Sequence, residues 1–490
     1  MSKPLLCVTV TAATTAELRQ KRDAVADADL IELRLDTVSD PSVAGALAGR
    51  RRPAIITCRP AWEGGEFKGS EEERKQILAD GLSLGAEYVD VEWRARFDDL
   101  IAQAGGRRIV LSAHDYLGVP IDLTARVHAM RSTGAEVIKI AATLTSLSDC
   151  VPLLDLGAQS GRQSGLVLIG MGPYGLATRV LAGRFGSVWT YAGALKEIGQ
   201  LSAHALLRDY HFRAVTDTTE IYGVAGGSVL HSVSPAMHNA AFRAARVDAV
   251  YLPLPATNAA DFARFGRAIG ISGASVTIPL KVSLFDCVDE VYSVARRIGA
   301  INTIRVEGGR WIGGNTDASG FLEPLQEKVQ LAGLRAAVLG AGGAARAVTV
   351  ALASSGCSVR LHARNRQQAE ETAMLASAEV GGWPPEPGSW DLLINCTPIG
   401  MYPRLDDTPL PADQLTGHYV YDLVYNPSVT RLLRDATARG CQTIGGLDML
   451  VAQAREQFQW WIGSKPQAGV MREAALKRLA EFARDENHLV

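Results

Sequence analysis

The sequence holds little of what would tie a chain to a membrane, a polyanion or an oxidising compartment. No apolar run approaches the roughly 20 residues that span a bilayer. The opening Met1-Ser2-Lys3-Pro4 passes into a strand-like Leu5–Val10 without the small-residue cleavage site of a signal peptide. An excess of one charge is also missing, with 50 Lys and Arg against 52 Asp and Glu and a formal net charge of -2. Neither a nucleic acid nor an anionic membrane is therefore expected as partner, and an anionic substrate must be met by locally placed Arg and Lys. The seven Cys are odd in number, scattered, and include no Cys-x-x-Cys pair. That argues against a disulfide framework and a structural zinc site. The nine His show no metal-site spacing. A cytoplasmic protein without a metal is the expectation. The oligomeric state is not fixed, and a homodimer is allowed.

What is present is length and rhythm. A chain of 490 residues exceeds what one hydrophobic core organises, so two or more domains are expected. Short β-rich runs recur at 5–10, 30–35, 53–58, 88–93, 108–113, 137–142, 166–170 and 188–192, with helix-compatible stretches between most of them. This alternation predicts an α/β fold with a (β/α)8 barrel, and a doubly wound open sheet is the alternative. Arg213–Glu220 reads as a polar linker. A new unit starts at Ile221, mixes strands and helices to about 320, and then presents a strand at Arg335–Leu339. Gly340, Ala341, Gly342, Gly343 and Ala344 follow that strand and open a helix, the dinucleotide-binding arrangement.

In a barrel, chemistry sits at the C-terminal ends of the strands. Glu32, Arg34 and Asp36 alternate along strand two and are expected to share one face. Arg59 ends strand three, Glu63 lies in the loop beyond, His114 ends strand five, and Arg179 follows strand seven. Lys139 lies among β-branched residues in strand six. Burial lowers the pKa of an amine and makes it nucleophilic near neutral pH. For Lys139 or His114 alone, a snorkelling lysine or an ordinary core histidine is the plainer account. Amine, imidazole and arginines at neighbouring strand ends together point to imine chemistry on an anionic carbonyl substrate.

The ordered set Glu-Leu-Arg-Leu-Asp at 32–36, Thr-Cys-Arg at 57–59, Glu-Gly-Gly at 63–65, Ser-x-His-Asp at 112–115 and Lys-Ile-Ala at 139–141, with Met171-Gly172 and Arg179, resembles type I 3-dehydroquinate dehydratase over about 1–213. The resemblance implies a Schiff base between Lys139 and the C3 ketone of 3-dehydroquinate, with His114 moving protons and Glu63 orienting it. Glu32, Arg34, Arg59 and Arg179 would position substrate, Arg179 through its carboxylate. Where the family closes its site with Ser-Ala-Pro-Gly-Gln, this chain has Lys196-Glu197-Ile198-Gly199-Gln200. Gln200 is kept without the Ser and Pro, a change that bears on lid closure more than on the chemical step.

In the second half the glycine turn would hold a pyrophosphate on backbone N–H groups. About twenty residues on, where NAD enzymes place an acid, stand Arg364, Asn365 and Arg366, which suit a 2′-phosphate and so NADP(H). Ser232 and Ser234 could grip a carboxylate or cap the following helix. Lys281 and Asp317 could pair. These residues, with Thr277, Asn302, Asn395-Cys396-Thr397-Pro398-x-Gly400-Met401, Tyr421–Pro427 and Gly445-Gly446-Leu447-x-Met449-Leu450-Val451-x-Gln453, are similar to shikimate dehydrogenase over nearly all of 221–485. By that resemblance Ser232 and Ser234 hold the substrate carboxylate. Thr277, Asn302, Tyr425 and Gln453 contact ring hydroxyls or the reacting oxygen. Lys281 and Asp317 form the catalytic pair. Thr397, Met401 and Gly446 join the cofactor site. The basic turn departs from the family's pattern in carrying Gln367 and Glu370.

The resemblances imply a dehydratase barrel over 1–215, a substrate lobe over 220–325 completed by C-terminal helices at 447–490, and a Rossmann NADP-binding lobe over 326–446. They imply a shikimate-pathway enzyme taking 3-dehydroquinate to 3-dehydroshikimate and then to shikimate. The alternatives are a dehydrogenase with an impaired dehydratase half, a non-catalytic metabolite sensor, and quinate in place of shikimate.

Overall fold

The first eight strands are built mostly of buried apolar residues, as parallel strands covered on both faces must be, with the buried charges Glu32, Asp90 and Lys139 set among them. They are β1 (Leu5–Val10), β2 (Leu30–Arg34), β3 (Ala54–Thr57), β4 (Tyr88–Glu92), β5 (Ile109–Asp115), β6 (Val137–Thr143), β7 (Leu166–Met171) and β8 (Trp189–Ala192). In the computed structural model, which describes residues 3–160, 165–195 and 198–487, they run parallel in the order β7-β6-β5-β4-β3-β2-β1-β8. The ring closes at one narrow seam. Leu166 bridges Ser187, and Val188 N–H donates to Leu166 O at 2.8 Å. The Ser187 hydroxyl accepts Leu168 N–H at 2.9 Å, a side chain standing where a ladder carbonyl would otherwise be. The expected (β/α)8 barrel is the observed architecture.

One expectation needs correction. β2 stops at Arg34, and Leu35–Thr37 turns as a 3₁₀ helix, so Asp36 does not continue the strand face of Glu32 and Arg34. The turn lets the Arg34 guanidinium fork back onto the Asp36 carboxylate at 2.8 and 2.6 Å, which gives both charges a partner. β3 likewise ends at Thr57, two residues before Arg59.

A second compact unit comprises Glu220–Ala263 and Ile271–Val490; the first comprises Met1–Thr219 with Arg264–Gly270. The second holds two sheets. One consists of β9 (Glu220–Gly226), β10 (Ala249–Pro255), β11 (Gly273–Val276), β12 (Glu290–Val291), β13 (Thr303–Glu307) and β14 (Arg310–Gly314), in the order β10-β9-β11-β13-β14-β12. The other consists of β15 (Arg335–Leu339), β16 (Ser358–His362), β17 (Glu379–Val380), β18 (Leu392–Asn395), β19 (Tyr419–Asp422) and β20 (Gln442–Ile444), all parallel in the order β17-β16-β15-β18-β19-β20. That is the 3-2-1-4-5-6 order of a doubly wound nucleotide-binding sheet. Its core packs Val338, Val348, Leu352, Leu361, Ile394 and Tyr421 with Phe321 and Leu325 of the helix Asp317–Gln326. The long helix Gly446–Ile462 leaves this sheet and returns to the other, where Trp461 Nε1 donates to Ile304 O. Gly320 allows the crossing, because a Cβ there would lie 2.7 Å from the backbone nitrogen of Gln453. Among the described residues no helix is long and apolar enough to cross a membrane.

Candidate active sites

A cavity of about 520 Å³ opens at the C-terminal ends of the barrel strands. Glu32, Arg34, Arg59, His114, Lys139, Arg179 and Gln200 all line it, so residues spread over 168 positions of sequence share one wall. Strand pairing explains the convergence. Lys139 on β6 is in register with Ser112 on β5, which carries His114 two residues on.

The Lys139 amine is almost fully buried and lies 3.0 Å from Asp90 Oδ2, 3.6 Å from Glu32 Oε1 and 4.3 Å from the centre of the Tyr191 ring. Glu32 is fixed by the hydroxyls of Thr9 and Thr57 at 2.8 and 3.0 Å. Burial alone would raise the Asp90 carboxyl, yet the cations Arg59 and Lys139 hold it well below the usual carboxylate range. His114 is pushed the other way. Burial first, then Arg59 and Lys139, keep its imidazole well below the ordinary value, so it is neutral near pH 7. Glu63 meets it at 3.1 Å, and burial pushes this carboxyl up to about 7.

The arginines divide. Arg34 is occupied by Asp36, and Arg59 by Asp90 and Glu92. Arg179 is fully buried and donates only to the carbonyls of Tyr191 and Ile198, with its Nε unpartnered among the described residues. Burial lowers it to about 10. Among the described residues no carboxylate meets this buried guanidinium. Gln200 reaches Thr9 Oγ1 at 3.3 Å, whereas Lys196 and Glu197 of the altered lid lie outside the described residues.

Sequence reasoning missed Asp90 and Glu92. Both are wholly buried on β4, and the pattern Tyr88-Val89-Asp90-Val91-Glu92 puts the two carboxylates on one strand face.

In the second unit Lys281 Nζ donates to Asp317 Oδ2, and the other oxygen of Asp317 accepts Asn302 Nδ2 at 2.8 Å. Asn302 also reaches Thr316 at 3.0 Å and Gln453 at 3.4 Å. Lys281, Asp317, Asn302 and Gln453 therefore form one cluster. Tyr425 lies beside Ser232. Ser232 Oγ also accepts Ser234 N–H at 3.2 Å, and Thr277 lies half-buried just past β11.

The turn Gly340–Ala344 touches this cluster. A Cβ on Gly343 would stand 3.0 Å from both Cβ and Cδ of Lys281, a tight approach that glycine avoids. Gly340 has φ of +106°, a glycine conformation, with Thr397 beside it. The helix Gly343–Ser354 starts without a side-chain cap, and the space at Gly342 is open, which leaves its first N–H groups to a ligand such as a pyrophosphate. Arg364 and Arg366 are exposed beyond β16, Asn365 caps the next helix, and Arg366 is paired with Glu370 at 2.9 Å. These residues fit a dinucleotide with a 2′-phosphate. Met401 is exposed, and Gly446 has no room for a Cβ beside Leu423 O.

Comparison with known proteins follows the same division. The type I 3-dehydroquinase pattern matches residues 6–217, the shikimate dehydrogenase substrate binding domain residues 224–304, and the shikimate 5′-dehydrogenase C-terminal domain residues 446–476. A bifunctional 3-dehydroquinate dehydratase/shikimate dehydrogenase, chloroplastic, of Arabidopsis thaliana is 33% identical over 475 residues, covering 89% of this chain and 78% of its own. The chain belongs to the bifunctional 3-dehydroquinate dehydratase/shikimate dehydrogenase family. It carries that family's lyase and oxidoreductase domains in order. An NADP(+) shikimate dehydrogenase of Moorella thermoacetica is 44% identical over 277 residues, 52% of this chain and 92% of its own. A shikimate dehydrogenase solved with NADP+ is 34% identical with a TM-score of 0.52, covering 54% of this chain and 97% of that one. Among the described residues no group of His, Cys, Asp and Glu is arranged to hold a metal.

Proposed function

We propose that the barrel dehydrates 3-dehydroquinate through a Schiff base on Lys139, and that the second unit reduces the resulting 3-dehydroshikimate to shikimate with NADPH. The observation that carries the first step is the buried Lys139 amine, held by Asp90 and Glu32, in the cavity that His114 and Arg179 also line. Lys139 adds to the C3 ketone and water leaves as the imine forms. The imine acidifies the neighbouring C–H. His114, neutral because burial and its cationic neighbours disfavour imidazolium, takes that proton and passes it to the departing hydroxyl. Hydrolysis of the imine returns the amine. Glu63 orients His114, Arg179 takes the carboxylate, and Glu32, Arg34, Arg59 and Gln200 shape the rest of the cavity.

In the second unit Lys281, held by Asp317, gives the proton to the alkoxide formed on reduction. Ser232 and Ser234 hold the carboxylate, while Thr277, Asn302, Tyr425 and Gln453 meet the ring hydroxyls. Gly340–Ala344, Thr397, Met401 and Gly446 would hold the dinucleotide, with Arg364, Asn365 and Arg366 at its 2′-phosphate. The reduced nicotinamide supplies the hydride when bound. We read residues 1–215 as the dehydratase, 220–325 with 447–490 as the substrate lobe, and 326–446 as the cofactor lobe. The seven free thiols support a cytoplasmic setting.

The test mixes the full chain with 3-dehydroquinate and NADPH and follows cofactor absorbance. The wild type is expected to oxidise NADPH, Lys139→Ala to do so only from 3-dehydroshikimate, and Lys281→Ala from neither. A wild type that uses only 3-dehydroshikimate has an inactive barrel. Binding without turnover makes the chain a metabolite sensor.

A further inference from the structure

Asp90 and Glu92 are both shut away from water on β4, and a row of alternating charges runs from them to the outside of the barrel. Arg74, on the helix Glu71–Ser83, turns its guanidinium inward and is fully buried. Its Nη1 donates to Glu92 Oε2, while Nε and Nη2 hold Glu71 Oε2 at 3.1 and 2.5 Å. The Phe97 ring covers it, with its centre 4.8 Å away. The other oxygen of Glu92 takes Arg59 Nη1 at 2.6 Å. Arg59 Nη2 lies 3.0 Å from Asp90 Oδ2, the oxygen that Lys139 Nζ also reaches at 3.0 Å. Arg74, Glu92, Arg59, Asp90 and Lys139 thus alternate in sign from the covering helix to the reactive amine.

We propose that Arg74 is a positioning residue for imine formation, acting through Glu92 and Arg59 on the Asp90 carboxylate that aims Lys139. The inference rests on the Schiff-base reading above. A wholly buried carboxylate that loses one of two cations is costly, and it is relieved by drawing the remaining cation closer or by taking a proton. Without Arg74, Glu92 draws Arg59 to itself. Asp90 then has Lys139 as its main cation, and a tighter pair holds the amine back from the carbonyl. Arg74 is not among the residues that line the cavity, so its effect reaches the reaction only through Arg59 and Lys139, which do line it.

The test uses the full chain and traps the imine formed from 3-dehydroquinate with borohydride, read by mass, alongside steady-state dehydration and circular-dichroism melting. Arg74→Met is expected to trap about tenfold more slowly, the size of effect that a displaced reactive group gives. The double variant Arg74→Met with Glu92→Gln is expected to recover most of the wild-type trapping rate, because the amide no longer competes for Arg59. Trapping by Arg74→Met at the wild-type rate overturns the proposal, as does a folded double variant that is as slow as the single. Should Arg74→Met fail to fold, the double variant is compared with the wild type, and trapping about tenfold more slowly than wild type overturns the proposal. A wild type that neither traps nor dehydrates sinks the Schiff-base reading itself, before any variant is compared.

Discussion

A single carboxylate oxygen of Glu63 lies 3.0 Å from the backbone nitrogen of His114 and 3.1 Å from its Nδ1. As a carboxylate, Glu63 fixes the tautomer with the proton on Nδ1 and leaves the other ring nitrogen free to act as a base. Protonated, it favours the opposite tautomer and removes that base. Burial pushes Glu63 up to about 7, so dehydration is expected to rise through neutral pH as Glu63 ionises. Glu63→Gln accepts the Nδ1 proton at every pH, and the acid limb should vanish from its rate profile. A limb unchanged in the variant would assign it to another group. Stability runs in the opposite sense. The folded carboxyl holds its proton above the ordinary value of 4.5, so this contribution is full below that pH and is lost as pH rises through about 7. Urea unfolding of the two proteins across that window measures it.

Arg179 is buried with no acidic partner among the described residues, and on the proposed reading its charge serves the loaded barrel. Arg179→Met should raise KM for 3-dehydroquinate by roughly 10- to 100-fold, the loss expected for charge-assisted hydrogen bonds. Its melting temperature should not fall. A destabilised variant with unchanged KM would make Arg179 a structural residue.

A methyl group at Gly343 would stand 3.0 Å from Lys281 Cβ and Cδ, so the lysine or the turn must give by a few tenths of an ångström. Gly343→Ala is expected to lower kcat for 3-dehydroshikimate reduction by about tenfold or more. Dehydration of 3-dehydroquinate should be unchanged, which serves as the internal control. Equal kcat in the two proteins would show that the turn yields without moving Lys281.

Glu370 occupies Arg366, one of the two arginines placed for the 2′-phosphate. Glu370→Gln should tighten NADPH binding by about twofold, the modest effect expected of an exposed pair, without altering NADH binding. Fluorescence titration with both cofactors reads the difference.

The barrel was legible because its strands are buried on both faces and read as short, mostly apolar runs, and because the reactive groups stand out as charges within or just after them. The glycine turn after β15 was legible for a similar reason, since a strand, glycines and a helix follow one another locally. The failures are non-local. Asp90 and Glu92 acquire meaning only when Arg59 and Arg74 arrive from other elements. Asp36 was assigned to a strand because alternation says nothing of the Arg34 fork that bends the chain there. The Asn302–Gln453 contact spans 151 positions and depends on a helix returning from the other sheet.

The narrow seam between β7 and β8 falls between the two strands that lead to Arg179 and to Gln200. A ring of staves parts first at its least-bonded joint, and here that joint carries the wall of the cavity proposed to take the substrate carboxylate. Amide exchange at Leu168 and Val188 should therefore be faster than at β4 and β5, and should slow when a carboxylate ligand engages Arg179. On that account the breathing of the barrel and the admission of its substrate are one motion.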